Sequence, residues 1–180
     1  MTYNPNIHHR RSIRLPGYDY AQAGAYFITI CTDQRQCLFG EIRDGKMHLN
    51  EMGVIVRDEW EKSSEIRGEI ELGEFVVMPN HFHGIVIIQR RGIQPDAPTA
   101  TTNITAKQWG PAPQSNGALV AGFKSIVTKR INQIRNTPGL PVWQRNYWEH
   151  IIRNQKSYHR ITEYIIRNPV LWNRDKLFMD

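Results

Sequence analysis

The chain is poor in cysteine, with only Cys31 and Cys37 among 180 residues. So few thiols exclude a disulfide scaffold, and their spacing fits neither a zinc knuckle nor a CxxC redox pair. Both are expected to be reduced and structural, Cys31 lying inside an apolar strand pattern. Long hydrophobic runs are missing as well. No stretch approaches the ~20 residues of a membrane span, and the opening MTYNPNIHHRRSIR carries no apolar segment behind its basic cluster, so no secretory signal is read there. The expected compartment is the cytoplasm. Negative charge is in deficit: 17 Asp and Glu stand against 23 Lys and Arg, a formal net charge of +6 with a pI near 9.5. That balance favours a polyanionic partner over an acidic small molecule.

At 40% hydrophobic residues the chain can bury one sizeable core. A single domain over 1–180 is expected, with no internal repeat. AYFITICT (25–32) is rich in aromatic and β-branched residues and predicts a central strand. In CLFGEIRDGKMHLN (37–50), Asp44-Gly45 between short alternating runs signals a hairpin. Asn50 can cap a helix whose apolar positions Met52, Ile55, Val56 and Trp60 recur to about Ser64. IELGEFVVMP (70–79) and HFHGIVIIQ (81–89) predict two adjacent strands. From about 90 to 116 the chain is rich in Pro, Thr, Ala and Gly without a period, which predicts a mobile surface insertion. ALVAGFKSIVTKRINQIRN (118–136) sets Leu119, Phe123, Ile126, Val127, Ile131 and Ile134 on one face of a basic amphipathic helix. An extended aromatic segment (142–153) follows, then a helix from near Asn154 that must stop before Pro169. The order implies an α+β domain with a largely antiparallel sheet and helices packed on it.

One short stretch stands out chemically. In MPNHFHGIVI, residues two apart on a strand share a face, so His81 and His83 project together while Phe82 points to the opposite, buried side. Paired imidazoles suit a divalent cation; the ordinary alternative is two hydrogen-bonded histidines at a strand entrance. Two ligands leave a cation under-coordinated, so the metal reading demands a third polar group. The last helix offers candidates. Tyr158, Ile161, Ile165 and Ile166 form its apolar stripe, and Tyr164 and Asn168, four apart, lie together on the flank of that stripe. Without the histidine pair, Tyr164 would read as a packed ring with its hydroxyl in water and Asn168 as a helix end.

These residues carry a resemblance. MPNHFHGIVI resembles the HUH motif (His, hydrophobic, His) of single-tyrosine transposases, and WQRNYWEHIIRN followed by EYIIRNPV resembles the second half of the REP-associated tyrosine transposases, in the insertion-sequence 200-like group. HHRRSIRLPGYDYAQAGAYFITICT and GFKSIVTKRIN are also similar, so the likeness covers nearly the whole chain apart from 90–116 and the extreme tail. It implies a ferredoxin-like antiparallel sheet of HUH single-strand nuclease architecture, with the histidines on a central strand and the nucleophile on a C-terminal helix. It further implies His81 and His83 as metal ligands, Asn168 completing or supporting the metal site, and Tyr164 as the catalytic nucleophile. Tyr147 and Tyr158 lack the Tyr-x-x-x-Asn-Pro context, and His150 and His159 read as structural.

The implied activity is DNA transposition. Single-stranded DNA is cleaved next to a hairpin and rejoined through a 5′-phosphotyrosine, which keeps the phosphodiester energy without an external source. A phenol with an ordinary pKa of about 10 needs help, and Mg²⁺ or Mn²⁺ would polarise the phosphate; imidazole ligands favour Mn²⁺. The implied partner is single-stranded DNA carrying a REP-like hairpin, with no membrane partner. Arg10, Arg11 and Arg14, together with Lys124, Lys129 and Arg130 of the basic helix, are candidate phosphate contacts. Trp143, Trp148 and Tyr147 can stack on bases or fill the core, burial being the expected use of at least two. Oligomeric state, monomer or homodimer, stays open. The competing function is a non-catalytic single-stranded DNA or RNA binding module of the same fold.

Overall fold

Hydrophobic strands in this chain fall into one central sheet, as seen in a computed structural model that describes residues 22–89 and 114–178. Arg10, Arg11, Arg14 and nearly all of the 90–116 insertion lie outside the described residues. Strand β1 (Gly24–Cys31) pairs on both edges, with β5 (His81–Ile88) and with β6 (Trp148–Ile152). Strand β4 (Ile70–Met78) pairs with the far side of β5, giving the all-antiparallel order β4-β5-β1-β6. This is the expected ferredoxin-like α+β arrangement. Because β1 and β5 are interior strands covered on both faces, both read as almost continuous apolar runs.

Helix α1 (Glu51–Ile66) begins where Asn50 Oδ1 accepts the Gly53 N–H at 3.0 Å. Helix α2 (Asn116–Arg135) is capped in the same way by Ser115, which fixes its start two residues ahead of the sequence reading. Both helices pack on one face of the sheet, where Trp60, Val56, Leu119, Phe123 and Val127 close over Tyr26, Ile28, Phe82 and Val86. Ile126 and Ile134, expected in the buried stripe of α2, are exposed instead. The stripe is narrower than the periodicity implied. Helix α3 (Gln155–Arg167) covers the other face, with Ile161 and Ile165 against Phe27, Ile85 and Ile152. Each such buried side chain contributes about 1.5–3 kcal/mol, so α3 is firmly seated. Ile166 points to solvent, correcting its place in the α3 stripe.

Beside the main sheet, β2 (Gly40–Arg43) and β3 (Lys46–Leu49) form a hairpin whose turn puts Asp44 at φ 51° and Gly45 at φ 70°. Two consecutive positive φ values are what a tight Asp-Gly hairpin turn requires. In β4 the register shifts between Leu72 and Phe75: those residues pair with Val86 and Gly84, so β4 uses one residue more than β5. This bulge reverses the alternation, placing Ile70 and Leu72 but then Phe75 and Val77 on the α1–α2 face. Among the described residues no helix is long and apolar enough to cross a membrane.

Candidate active site

The register of β5 decides which side chains meet α3. Phe82 turns to the α1–α2 core, with ring centroids 4.6 Å from Trp60 and 5.5 Å from Phe123. Gly84, on that same face, leaves the gap these rings fill: a Cβ there would lie 2.8 Å from the Phe82 ring and 2.9 Å from Trp60. His81 and His83 therefore share the α3 face, their rings 4.5 Å apart, at 0% and 2% exposure.

Each imidazole is held from behind. His81 Nδ1 lies 2.8 Å from Asn80 Oδ1, and Asn80 Nδ2 donates to the Leu177 carbonyl at 2.8 Å. A carbonyl can only accept, so the Asn80 amide is oriented unambiguously, its oxygen takes the Nδ1–H, and His81 Nε2 is left as a lone pair. His83 Nδ1 lies 2.8 Å from Thr29 Oγ1 on the neighbouring strand, which leaves Nε2 facing α3. Burial pushes the His81 pKa down to about 4, although the Asp175 carboxylate and the Asn168 amide oppose this. His83 lies well below its ordinary value, first through burial and then through His81. Both rings are neutral at pH 7 and offer electron pairs.

Tyr164 and Asn168 project from α3 toward this pair. The Tyr164 hydroxyl sits 3.2 Å from His83 Nε2 and donates to Asp175 Oδ2 at 3.3 Å. Its ring stands edge-on to Phe27, centroids 6.1 Å apart. Burial raises the phenol pKa to about 12, helped by the Asp175 charge and hydrogen bond and opposed by Asn168. Asn168, buried where Pro169 ends the helix, donates from Nδ2 to Asp175 Oδ2 at 2.9 Å. A carboxylate only accepts, so Asn168 Oδ1 is fixed on the other side, where it has no partner.

Asp175 is the residue that sequence reasoning missed. It follows the single helical turn Trp172–Arg174, and its Oδ1 accepts the Leu177 N–H at 2.7 Å. Its carboxylate and the imidazoles of His81 and His83 offer ligand atoms all within 4.8 Å of one another, a group able to hold a metal ion. No local motif marks Asp175; the available signal was only a carboxylate shortly beyond the Asn168-Pro169 break. Two lone pairs, on His81 Nε2 and Asn168 Oδ1, are buried without a hydrogen-bond partner. Buried acceptors are rarely left so, and together with a carboxylate they are a donor set able to hold a divalent metal ion.

His83, Tyr164 and Asp175 form one wall of a cavity of about 850 Å³ that is also lined by Phe27, Trp148, Arg160 and Lys176. Tyr147 also lines this cavity, its hydroxyl 3.1 Å from the Glu149 carboxylate, and Tyr158 packs on the Phe27 cluster. The α2 cations lie elsewhere: α2 packs on the face of the sheet opposite the histidines. There the Lys124 ammonium donates to the carbonyls of Gln144 (2.6 Å) and Arg145 (3.1 Å), burial lowering its pKa, and Arg130 is paired with Glu59. Lys129 is exposed. Trp143 is buried, Tyr147 half-buried and Trp148 41% exposed.

The class defined at this point is a ferredoxin-like α+β domain with a histidine pair, a carboxylate and a tyrosine gathered under its last helix. No family model matches the chain. It is 45% identical over 179 residues to a protein of Haemophilus influenzae (strain Rd) described as an uncharacterized protein, covering 99% of this chain and 98% of that one. The chain belongs to the same family as that protein. Among solved structures it is similar to a REP-associated tyrosine transposase bound to a REP hairpin, with a TM-score of 0.53 and 21% identity over 87% of this chain and 73% of that one. The latter likeness is one of fold.

Proposed function

We propose that the protein is a transposase that cleaves and rejoins single-stranded DNA beside a hairpin, with Tyr164 as nucleophile. The observation that carries this reading is the approach of the Tyr164 hydroxyl to within 3.2 Å of His83 Nε2, at the wall of an open cavity. A structural tyrosine has no need of a neutral imidazole on one side and a carboxylate on the other. In the forward step the Tyr164 oxygen bonds to phosphorus, the bond from phosphorus to the 3′ oxygen breaks, and the strand ends as a 5′-phosphotyrosine and a free 3′-hydroxyl. Attack by a 3′-hydroxyl on that ester restores the phosphodiester and the phenol.

A phenol with a pKa near 12 keeps its proton until a base takes it, and Asp175 Oδ2, 3.3 Å away, is the acceptor in place. His81, His83 and Asn168 would hold Mn²⁺ or Mg²⁺, with Asp175 beside them. Such an ion supplies Lewis-acid polarisation of the phosphate. Asn80 and Thr29 position the imidazoles for this work. The hairpin is carried over from the solved neighbour, whose bound partner is a REP hairpin.

The test incubates purified protein and Mn²⁺ with labelled single-stranded hairpins drawn from its own genomic neighbourhood, followed by denaturing electrophoresis. Wild type should acquire a covalently attached strand and Tyr164→Phe should not. Free cleavage products persisting in Tyr164→Phe would refute the tyrosine mechanism in favour of hydrolysis. Binding without any adduct would favour the non-catalytic module.

A further inference from the structure

The corner between β6 and α3 holds a second concavity, of about 640 Å³, lined by His150, Arg153, Lys156, Ser157 and Arg160. Arg160 also lines the cavity in front of Tyr164, so the two hollows meet at its side chain. Arg153, Lys156 and Arg160 are all exposed, and among the described residues none has a carboxylate partner. Lys156 and Arg160, four apart on α3, lie on one face, where like charges repel, and Arg153 stands just ahead of the Asn154 cap. A polyanion relieves that repulsion.

An aromatic platform adjoins the charges. Trp148 is 41% exposed, a large ring left at the surface by a chain that buries Trp60, Trp143 and Trp172. Phe27 braces it edge-on at 5.6 Å, and the His150 ring lies nearly parallel to it, 3° apart in plane with centroids at 5.8 Å. Thr29 faces both His83 and Trp148 across the sheet, so Trp148 stands two strand spacings, about 10 Å, from His83. β6 is the edge of the sheet, and nothing in the described chain is paired beyond it.

We infer that this corner is the track for the single strand next to the cleaved phosphate, one base stacking on Trp148 and successive phosphates meeting Arg160, Arg153 and Lys156. The inference rests on the proposed single-strand chemistry and gives it a direction across the protein surface. Exposed tryptophan combined with unpaired cations is the chemistry of sequence-tolerant single-strand binding. It assigns contacts to the face of the sheet that holds Tyr164 rather than to α2.

The test measures fluorescence anisotropy of a fluorescein-labelled oligo(dT) of about 12 nucleotides, within the site size of a small module. Trp148→Ala should weaken binding by roughly 5- to 150-fold, the range seen for one stacked base, and Trp148→Phe should restore most of it. The triple exchange of Arg153, Lys156 and Arg160 to Gln should flatten the slope of log affinity against log salt by about 2, from ~0.7 per phosphate contact on a single strand. These side chains are exposed, so thermal melting should stay at the wild-type temperature. Unchanged affinity in Trp148→Ala together with an unchanged salt slope in the triple variant overturns the track, as does failure of wild type to bind the oligonucleotide. The two readings fail separately: an adduct formed by wild type alongside unchanged binding in these variants removes the track alone, whereas reduced binding with no adduct removes the chemistry alone.

Discussion

Replacing Asn80 by Ala tests whether the histidine pair is a positioned site or an accident of packing. Asn80 is fully buried and makes two side-chain hydrogen bonds, each 2.8 Å: one takes the His81 Nδ1–H, the other is given to the Leu177 carbonyl. Each bond contributes about 0.5–1.5 kcal/mol net, and a buried donor left unpaired costs about 1–3 kcal/mol more. A loss of about 2–6 kcal/mol is therefore expected from a total near 5–15 kcal/mol. At about 2–4 °C per kcal/mol for a chain of this length, Asn80→Ala should melt roughly 4–24 °C below wild type in EDTA. The same change frees the His81 ring to adopt either tautomer, so calorimetric titration with Mn²⁺ should show affinity reduced about 10- to 100-fold. Asn80→Asp separates the two effects, because it can still accept from His81 but can no longer donate to Leu177. It should melt below wild type yet retain more of the Mn²⁺ affinity than Asn80→Ala. If Asn80→Ala melts and binds Mn²⁺ as wild type does, the reasoning from buried hydrogen bonds to a built site is refuted.

Acid should expose the histidine pair. His81 falls from an ordinary value of 6.5 to about 4 on folding, so the unfolded chain takes up the extra proton, and stability present above pH 6.5 is lost as pH falls toward 4, by about 3 kcal/mol. Melting in EDTA from pH 7 to 4 should therefore drop less steeply in His81→Gln; parallel curves would contradict this. Gly84→Ala forces a methyl against Phe82 and Trp60, and overpacking of this kind costs about 1–3 kcal/mol, readable as a lowered midpoint in urea. Lys129→Gln, on the far side of the sheet from Tyr164, should leave adduct yield within about twofold of wild type in the gel assay.

Much of this was legible because the signals are local. Strand alternation places His81 and His83 together whatever surrounds them, and Pro169 stops α3 just after Asn168, fixing the phase that brings Tyr164 to the same side. The chain order likewise leads to the sheet, since a hairpin-compatible pair of strands and two crossover helices leave few topologies. What escaped depends on contacts that spacing does not encode. The bulge at Gly73-Glu74 inverts β4 because an extra residue has to be absorbed opposite Ile85. Asp175 reaches the histidines only through the turn after Pro169, a three-dimensional return with no periodic trace. The cations of α2 look like any solvent-facing charges in sequence, yet Lys124 and Arg130 are drawn into bonds with the 144–145 backbone and with Glu59.

The distribution of this site along the chain has a consequence for its history in the cell. Synthesis proceeds from the N-terminus at about 5–20 residues per second, and β1 and β5 are made well before β6 and α3. A ribosome-bound intermediate can thus display both imidazoles while the phenol and the carboxylate do not yet exist. Under the proposed reaction such an intermediate has no means of joining itself to nucleic acid, and reactivity arrives only once α3 and the turn after it have been made.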